Sequence, residues 1–272
     1  MKNNKTKNLA AIILAAGRGK RMKVGNINKS TLLLNGKPLI AYPVNLFEKS
    51  KIDPIFIVVG YGKHSIKSAL KNSKVVFVEQ TRPLGTGQAA MAAIEKIPSG
   101  VTDVIVLYGD DSYLYNENLL NKIIKLHFLN DSSLTFLTIK VHDANGLGRI
   151  VRNDIGEVTD IVEEKDATPE QKKIKEINPN CYIFRSEFLR KYLPKLPKSP
   201  VTGEYYLPSL IKLAYDNNEK IQVIEAGSIP WRGINTREDL EEARVLLEGG
   251  RLQRSGSHDS YQVDGLNRKK FI

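Results

Sequence analysis

Residues 9–22 read LAAIILAAGRGKRM, and this stretch decides the fold. Seven apolar residues, Leu9 to Ala15, run without polar alternation and stop just before Gly17. A strand that is apolar on both sides is one that is covered on both sides, as in a parallel sheet flanked by helices. The turn behind it is small and basic, with Arg18, Lys20, Arg21 and Lys23 around two glycines. Glycine tolerates the positive φ of a tight turn. Exposed amides beside cations hold phosphate, and ligands of open α/β sheets collect at the carboxyl ends of strands. The same letters also fit a plain basic strand-to-helix turn. A dinucleotide fingerprint is excluded because Met22 stands where its third glycine belongs, and a Walker loop is absent.

Outward from that turn, apolar runs alternate with helical patterns. Pro54–Gly60, Lys74–Glu79, Val101–Tyr108 and Leu134–Val141 read as strands. Helices are expected at Tyr42–Ser50, Lys63–Lys71, Gly87–Ile97 and Asn116–Asn130. This order predicts an α/β fold, a mostly parallel sheet with helices on both faces. The second half changes character. Gly148–Asn153 and Val158–Glu163 flank a turn at Asp154–Gly156 and read as a hairpin. Glu176–Phe184 and Ile221–Ala226 read as strands, Tyr206–Asn217 and Thr236–Leu247 as helices. Thr236 with Asp239 resembles a capping box that uses Asp for Glu. The second half is expected to form a smaller lobe closing one wall of a cleft. Residues 1–8 form a basic extension, residues 9–248 the folded domain, and the Gly-, Ser- and Arg-rich residues 249–272 a poorly ordered tail.

The net charge is +11, from 41 basic and 30 acidic residues. Six of those eleven charges come from residues 1–8 and 251–272. The rest are spread over the body with no basic stripe, so no specific nucleic-acid partner is expected. An anionic small substrate uses local positive charge equally well. No apolar run reaches the roughly 18 residues of a membrane span, and nothing at the N-terminus has the form of a secretory signal. Cys181 is the only cysteine. It excludes an intrachain disulfide and fits a reducing cytoplasm. His64, His127, His142 and His258 show no metal-ligand spacing.

Asp110 and Asp111 follow a strongly apolar strand. Such carboxylates hold Mg²⁺ against phosphate or simply cap the loop. Asn235 before a helix is a metal ligand or an N-cap.

Beyond LAAGRGKRM, the strings GKPLI, EQTRPLGTGQA, LYGDD, GRIV, IVEEKDA, EIN, GEYYL and GINTREDL follow in order from about Leu9 to Leu247. Together they resemble the sugar nucleotidyltransferases, most of all the N-acetylglucosamine-1-phosphate uridylyltransferase domain of the bifunctional GlmU family. The resemblance implies a Rossmann-like fold with a sugar-binding lobe. It implies UTP and a sugar 1-phosphate as substrates, Mg²⁺ as cofactor, and UDP-N-acetylglucosamine with pyrophosphate as products. No acetyl transfer is expected, since no β-helical acetyltransferase region is present.

By that resemblance, Arg21 steadies the leaving pyrophosphate and Lys29 the α-phosphate. Asp110 and Asn235 ligate the metal. Gln80 reads the uracil, beside the backbone of Leu14, Ala15, Ala16 and Gly17 and the turn at Gly85 and Thr86. Gly148, Glu163, Asn178 and Tyr205 line the sugar half. The chain departs from the family pattern in three places. Asn28 stands before the lysine where proline is usual, the Arg21–Lys29 loop is slightly longer than usual, and Ser112 stands in the aspartate motif where proline is usual. The nearest alternatives are sister enzymes forming UDP-glucose, dTDP-glucose or GDP-mannose, and a non-catalytic nucleotide-sugar sensor on the same fold.

Overall fold

In the computed structural model, which describes residues 8–22, 25–227, 231 and 233–254 (Lys20 and 249–254 by backbone alone), strand β1 spans Leu9–Ala15 as expected. Its side chains divide by parity. Ala10, Ile12 and Leu14 enter one core and Ala11, Ile13 and Ala15 the other. A continuous apolar run is therefore the cost of filling two faces at once.

The elements that follow are, in order, a short hairpin of β2 (Leu33–Leu34) and β3 (Lys37–Pro38), then α1 (Ala41–Lys49), β4 (Ile55–Val59), α2 (Lys63–Ala69), β5 (Val76–Glu79), α3 (Thr86–Ile94) and β6 (Asp103–Tyr108). Next come α4 (Glu117–Leu129), β7 (Leu134–Lys140), β8 (Arg149–Arg152), β9 (Val158–Val162), α5 (Pro169–Lys172), β10 (Glu176–Ile177) and β11 (Cys181–Arg185). The chain continues through α6 (Ser186–Tyr192), α7 (Leu210–Asp216), β12 (Ile221–Glu225) and α8 (Arg237–Arg254). Among the described residues, ten strands make one sheet in the order β5-β4-β1-β6-β11-β7-β10-β8-β9, with β12 also on β7. Only β9, β10 and β11 run against the rest, so the sheet is mixed but mostly parallel. Helices α3, α6 and α7 cover one face, and α1, α2 and α4 cover the other. The second half inserts β11 between β6 and β7 and continues the sheet past β7 through β10, β8 and β9.

Local chemistry sets the boundaries. Asn116 caps α4 by accepting from the Leu119 N–H at 2.9 Å. At α8, the Thr236 hydroxyl accepts from Asp239 N–H and the Asp239 carboxylate accepts from Thr236 N–H, so the Asp version of the box forms.

Four expectations need correction. The single strand over Glu176–Phe184 is two, β10 and β11, broken at Asn178-Pro179-Asn180. Pro179 has no N–H for the ladder, and Asn180 turns the chain with φ 58°. The helix over Tyr206–Asn217 opens as a 3-10 turn, Leu207–Ser209, with Pro208 inside that turn. Helix α6 was not expected, nor were β2, β3 and α5. Helix α8 runs to Arg254, past Leu247, so the tail boundary at 249 falls inside it. Leu240 and Ala243 anchor the helix in a small core with Met22, Leu34 and Tyr113. Once anchored, each further residue gains a hydrogen bond for little cost. Residues 1–7 and 255–272 lie outside the described residues. No described helix is long and apolar enough to cross a membrane.

Strand β7 binds β11, β12 and β10, and its Phe136 is fully buried opposite Tyr182 and Val223. Phe136→Ala is expected to lower the stability measured by urea unfolding by about 3–5 kcal/mol.

Candidate functional site

The carboxyl ends of β1 and β6 lie side by side, with Leu14 opposite Tyr108 and the Gly109 N–H donating to Leu14. Two loops therefore leave the sheet together: Ala16–Met22 behind β1, and Gly109–Ser112 behind β6. In the first loop, the N–H groups of Gly17, Arg18 and Gly19 donate to no group among the described residues. Arg18 lies over the Tyr61 ring, 5.6 Å from its centroid. Lys23 lies outside the described residues. Gly19 has φ 55°, and a Cβ there would stand 2.9 Å from the Cβ of Lys29. The glycine loop and the lysine turn are thus in direct contact.

Lys29 opens a 3-10 turn, Lys29–Thr31, and its side chain is 12% exposed. Its Nζ donates to the Ile234 carbonyl at 2.6 Å and to Asn235 Oδ1 at 3.2 Å, and it pairs with Asp110 Oδ2. Arg21 Nη2 donates to the same Asn235 Oδ1 at 2.9 Å. The two predicted cations and the two predicted metal ligands form one cluster. Asp110 and Asn235 present one carboxylate and one amide oxygen to a common cationic nitrogen, an oxygen-only set that fits a hard divalent ion. Among the described residues, no group of three or more His, Cys, Asp or Glu side chains could hold a metal.

Asp111, beside Asp110, has a different partner. Asn180 Nδ2 donates to it at 2.6 Å. Burial first, and then the Asp110 charge, raise its carboxyl well above the usual range. Ser112 closes the turn by donating to the Tyr108 carbonyl at 2.6 Å.

Gln80 follows β5. Its Nε2 donates to the Gly85 carbonyl at 3.0 Å and to Gln88 Oε1 at 2.6 Å. A carbonyl only accepts, so the nitrogen must face Gly85, and Oε1 faces away with no partner among the described residues. Gly85 precedes α3, and the Thr86 hydroxyl accepts from the Leu207 N–H at 2.9 Å.

A cleft of about 220 Å³ opens beside the charge cluster. Arg21, Asp110, Asn235, Thr86, Gly148, Glu163 and Asn178 line it together. Burial pushes the Glu163 carboxyl up to about 7, helped by the charges of Asp166 and Glu204 and opposed by Arg149. Asn178 donates to the Leu137 carbonyl at 2.7 Å and accepts from Asn180 N–H at 3.0 Å, so both ends of its amide also hold the chain break.

Tyr205 is not brought into the cleft. Its ring lies under Lys198, 5.5 Å from the ammonium, and its carbonyl accepts from Gly87 N–H at 2.8 Å. Neighbouring Glu204 and Tyr206 face the cleft instead. Residue 205 pairs with Lys198 in an extended segment, where successive side chains take opposite sides. The string GEYYL carried that information only as two possible parities. Sequence reasoning also missed Tyr108, Tyr182 and Trp231 in the cleft wall. The first two lie on apolar strands and read as core; no local signal marks Trp231.

A fold with this strand order, carrying a basic glycine loop, a lysine turn and an aspartate at neighbouring strand ends, has known relatives. The family model described as nucleotidyl transferase matches residues 10–248. The bifunctional protein GlmU of Clostridium novyi is 36% identical over 238 residues, 88% of this chain and 52% of that protein. The same-named protein of Francisella tularensis subsp. novicida is 39% identical over 235 residues, 85% of this chain and 50% of that protein. The chain spans about half the length of these curated relatives. A solved chain named as a glucose-1-phosphate thymidylyltransferase of Bacillus anthracis, in complex with a sucrose, superposes with a TM-score of 0.71 at 20% identity. That likeness covers 88% of this chain and 94% of the other, and it shows the shared fold. With the family model spanning nearly every described residue, the chain belongs to the nucleotidyl transferase family.

Proposed function

We propose that the chain transfers the uridylyl group of UTP to N-acetylglucosamine 1-phosphate, giving UDP-N-acetylglucosamine and pyrophosphate. The observation that carries this reading is the single cluster of Arg21, Lys29, Asp110 and Asn235 at the edge of a cleft that also holds Thr86 and Glu163. Both reactants are anions, so their meeting point must be cationic. An oxygen of the sugar phosphate forms a bond to the α-phosphorus. The bond from that phosphorus to the bridging oxygen breaks, and pyrophosphate leaves with the electron pair. The nucleophile is already ionised, so no general base is required. Lys29 holds the α-phosphate region and Arg21 the leaving pyrophosphate, while the glycine-loop amides orient the triphosphate. Asp110 and Asn235 hold Mg²⁺, which when bound neutralises phosphate oxygens.

Gln80 Oε1 is an acceptor, which suits the N3–H of uracil and opposes the N3 lone pair of cytosine. It reads thymine equally well, so dTTP is the nearest alternative donor. On the acceptor side, Gly148 leaves room for the ring, and Glu163 and Asn178 meet sugar hydroxyls and the acetamido group.

The test is pyrophosphate release with Mg²⁺ over a panel of nucleoside triphosphates and sugar 1-phosphates. UTP with N-acetylglucosamine 1-phosphate is expected to be the best pair and CTP to be inactive. Preference for glucose 1-phosphate would overturn the sugar, and silence across the panel would overturn the activity. Lys29→Ala and Asp110→Ala are each expected to lower kcat/KM about 10²–10³-fold, measured with the best pair; unchanged turnover in either would remove that residue from the chemistry.

The Glu163 carboxyl titrates near 7 when folded, against about 4.3 in an unfolded chain. The folded protein therefore holds an extra proton between those values. The stability this contributes is full below about pH 4.3 and is lost as pH rises through about 7. Glu163→Gln removes that slope. Urea midpoints at pH 5 and pH 8 should show the parent losing stability relative to the variant; parallel behaviour of the two would place the Glu163 titration elsewhere.

A further inference from the structure

Asn28 is 1% exposed and stands immediately before Lys29, with no place in the phosphate, base or sugar contacts above. Its Nδ2 donates to the carbonyls of Tyr61 at 2.8 Å, Ala15 at 2.9 Å and Gly17 at 3.2 Å. Its Oδ1 accepts from Ser30 N–H at 2.9 Å, and its own N–H donates to Ser65 Oγ at 2.9 Å. Its carbonyl accepts from the Thr31 hydroxyl at 2.7 Å. One buried side chain thus joins three segments: the carboxyl end of β1, the connection from β4 to α2, and the turn that carries Lys29.

We propose that Asn28 is a positioning residue for nucleotidyl transfer, with one arm for the lysine and one for the triphosphate loop. The accepting arm fixes the first turn at Ser30 and so the direction of Lys29 toward Asp110 and Asn235. The donating arm holds the Ala15 and Gly17 carbonyls. A trans peptide points its N–H opposite its carbonyl. Holding the Gly17 carbonyl toward Asn28 therefore turns the Arg18 N–H the other way, where it donates to nothing among the described residues. The kinetic part of this inference rests on the proposed function.

The two arms can be separated. Asn28 has φ −81° and ψ 141°, values that proline adopts. Asn28→Pro loses both arms and the N–H that donates to Ser65 Oγ, but its ring restrains the backbone of the lysine turn in place of the accepting arm. Asn28→Ala loses both arms and the restraint. For Asn28→Ala, the UTP KM is expected to rise about tenfold and kcat to fall about tenfold or more, as for a misplaced catalytic group. For Asn28→Pro, kcat should return to near the parent value while KM stays raised. Parent-like KM and kcat in Asn28→Ala, with only a lowered Tm, would overturn the proposal. So would a kcat in folded Asn28→Pro as low as in Asn28→Ala. If Asn28→Ala does not fold, Asn28→Asp replaces it, keeping the accepting arm and setting a carboxylate against three carbonyls; its KM should rise with kcat retained, and an unchanged KM would overturn the donating arm. Hydrogen exchange on the free proteins supplies a readout without turnover. Loss of the side chain should speed exchange in segments 14–19 and 59–63 as well as 27–32. Faster exchange confined to 27–32 would overturn the joining role. Should the parent show no turnover with UTP, the proposed function fails and the exchange result still decides what Asn28 holds.

Discussion

Everything in the cleft depends on how tightly β1 is held between β4 and β6. Ala15 lies opposite Val59 and Leu14 opposite Tyr108, so three parallel strands end at one level. The approach is close: a Cβ at Gly109 would stand 3.2 Å from the Cβ of Ala15, tighter than an ordinary contact. The register cannot drift. A slip of one residue would swap the Ala10, Ile12, Leu14 set with the Ala11, Ile13, Ala15 set, and each is fitted to a different core. The same slip would carry Asp110 away from Lys29. Packing of methyl groups in the sheet is therefore what places charges in the site.

Those charges are nearly balanced. The net charge of +11 sits largely at the chain ends, while the cleft is lined by Asp110, Asp111, Glu163, Glu204 and Arg21, with Lys29 paired to Asp110 and Arg149 acting on Glu163 from behind the wall. A half-buried lysine without a partner would lose its hydration and gain nothing in return. Asp110 and the Asn235 amide, from distant parts of the chain, supply that partner until an anion arrives. Lys29, held by both, also ties the start of α8 to the sheet, so the last described helix is part of the site's scaffold.

What was legible in the sequence follows from how local each signal is. The run Leu9–Ala15 announced a doubly covered strand because no residue in it could face water. Asp110 stood out because a carboxylate directly after such a run must leave the core. Asn116 and Thr236 marked helix starts because capping is settled within four residues. Tyr205 was misplaced because the parity of a short extended segment is set by its pairing with Lys198, which lies outside the string. The break at Asn178–Asn180 was hidden because Asn and Pro fit a strand edge as well as a corner, and only the positive φ at Asn180 decides between them. The length of α8 was hidden because Gly249 and Gly250 are poor helix residues, and the anchor at Leu240 and Ala243 is a tertiary fact.

Two of the departures from the family pattern have one physical form. Resemblance places proline before the lysine and within the aspartate motif; this chain has Asn28 and Ser112. Both are nearly inaccessible, at 1% and 2% exposure, and both spend their polar atoms on backbone at the ends of β1 and β6. A proline restrains its turn in the folded and unfolded chain alike. A side-chain hydrogen bond restrains it only once the core has formed around it, and in that dry setting the bond is costly to leave unmade. The substitution exchanges a local, permanent constraint for one conditional on folding. It also couples the two loops to the strands in a way proline cannot, since a ring has no donor to offer Ala15, Gly17 or Tyr61. The turns that carry Lys29 and Asp110 are thereby held by the same closely packed strand ends that set their separation.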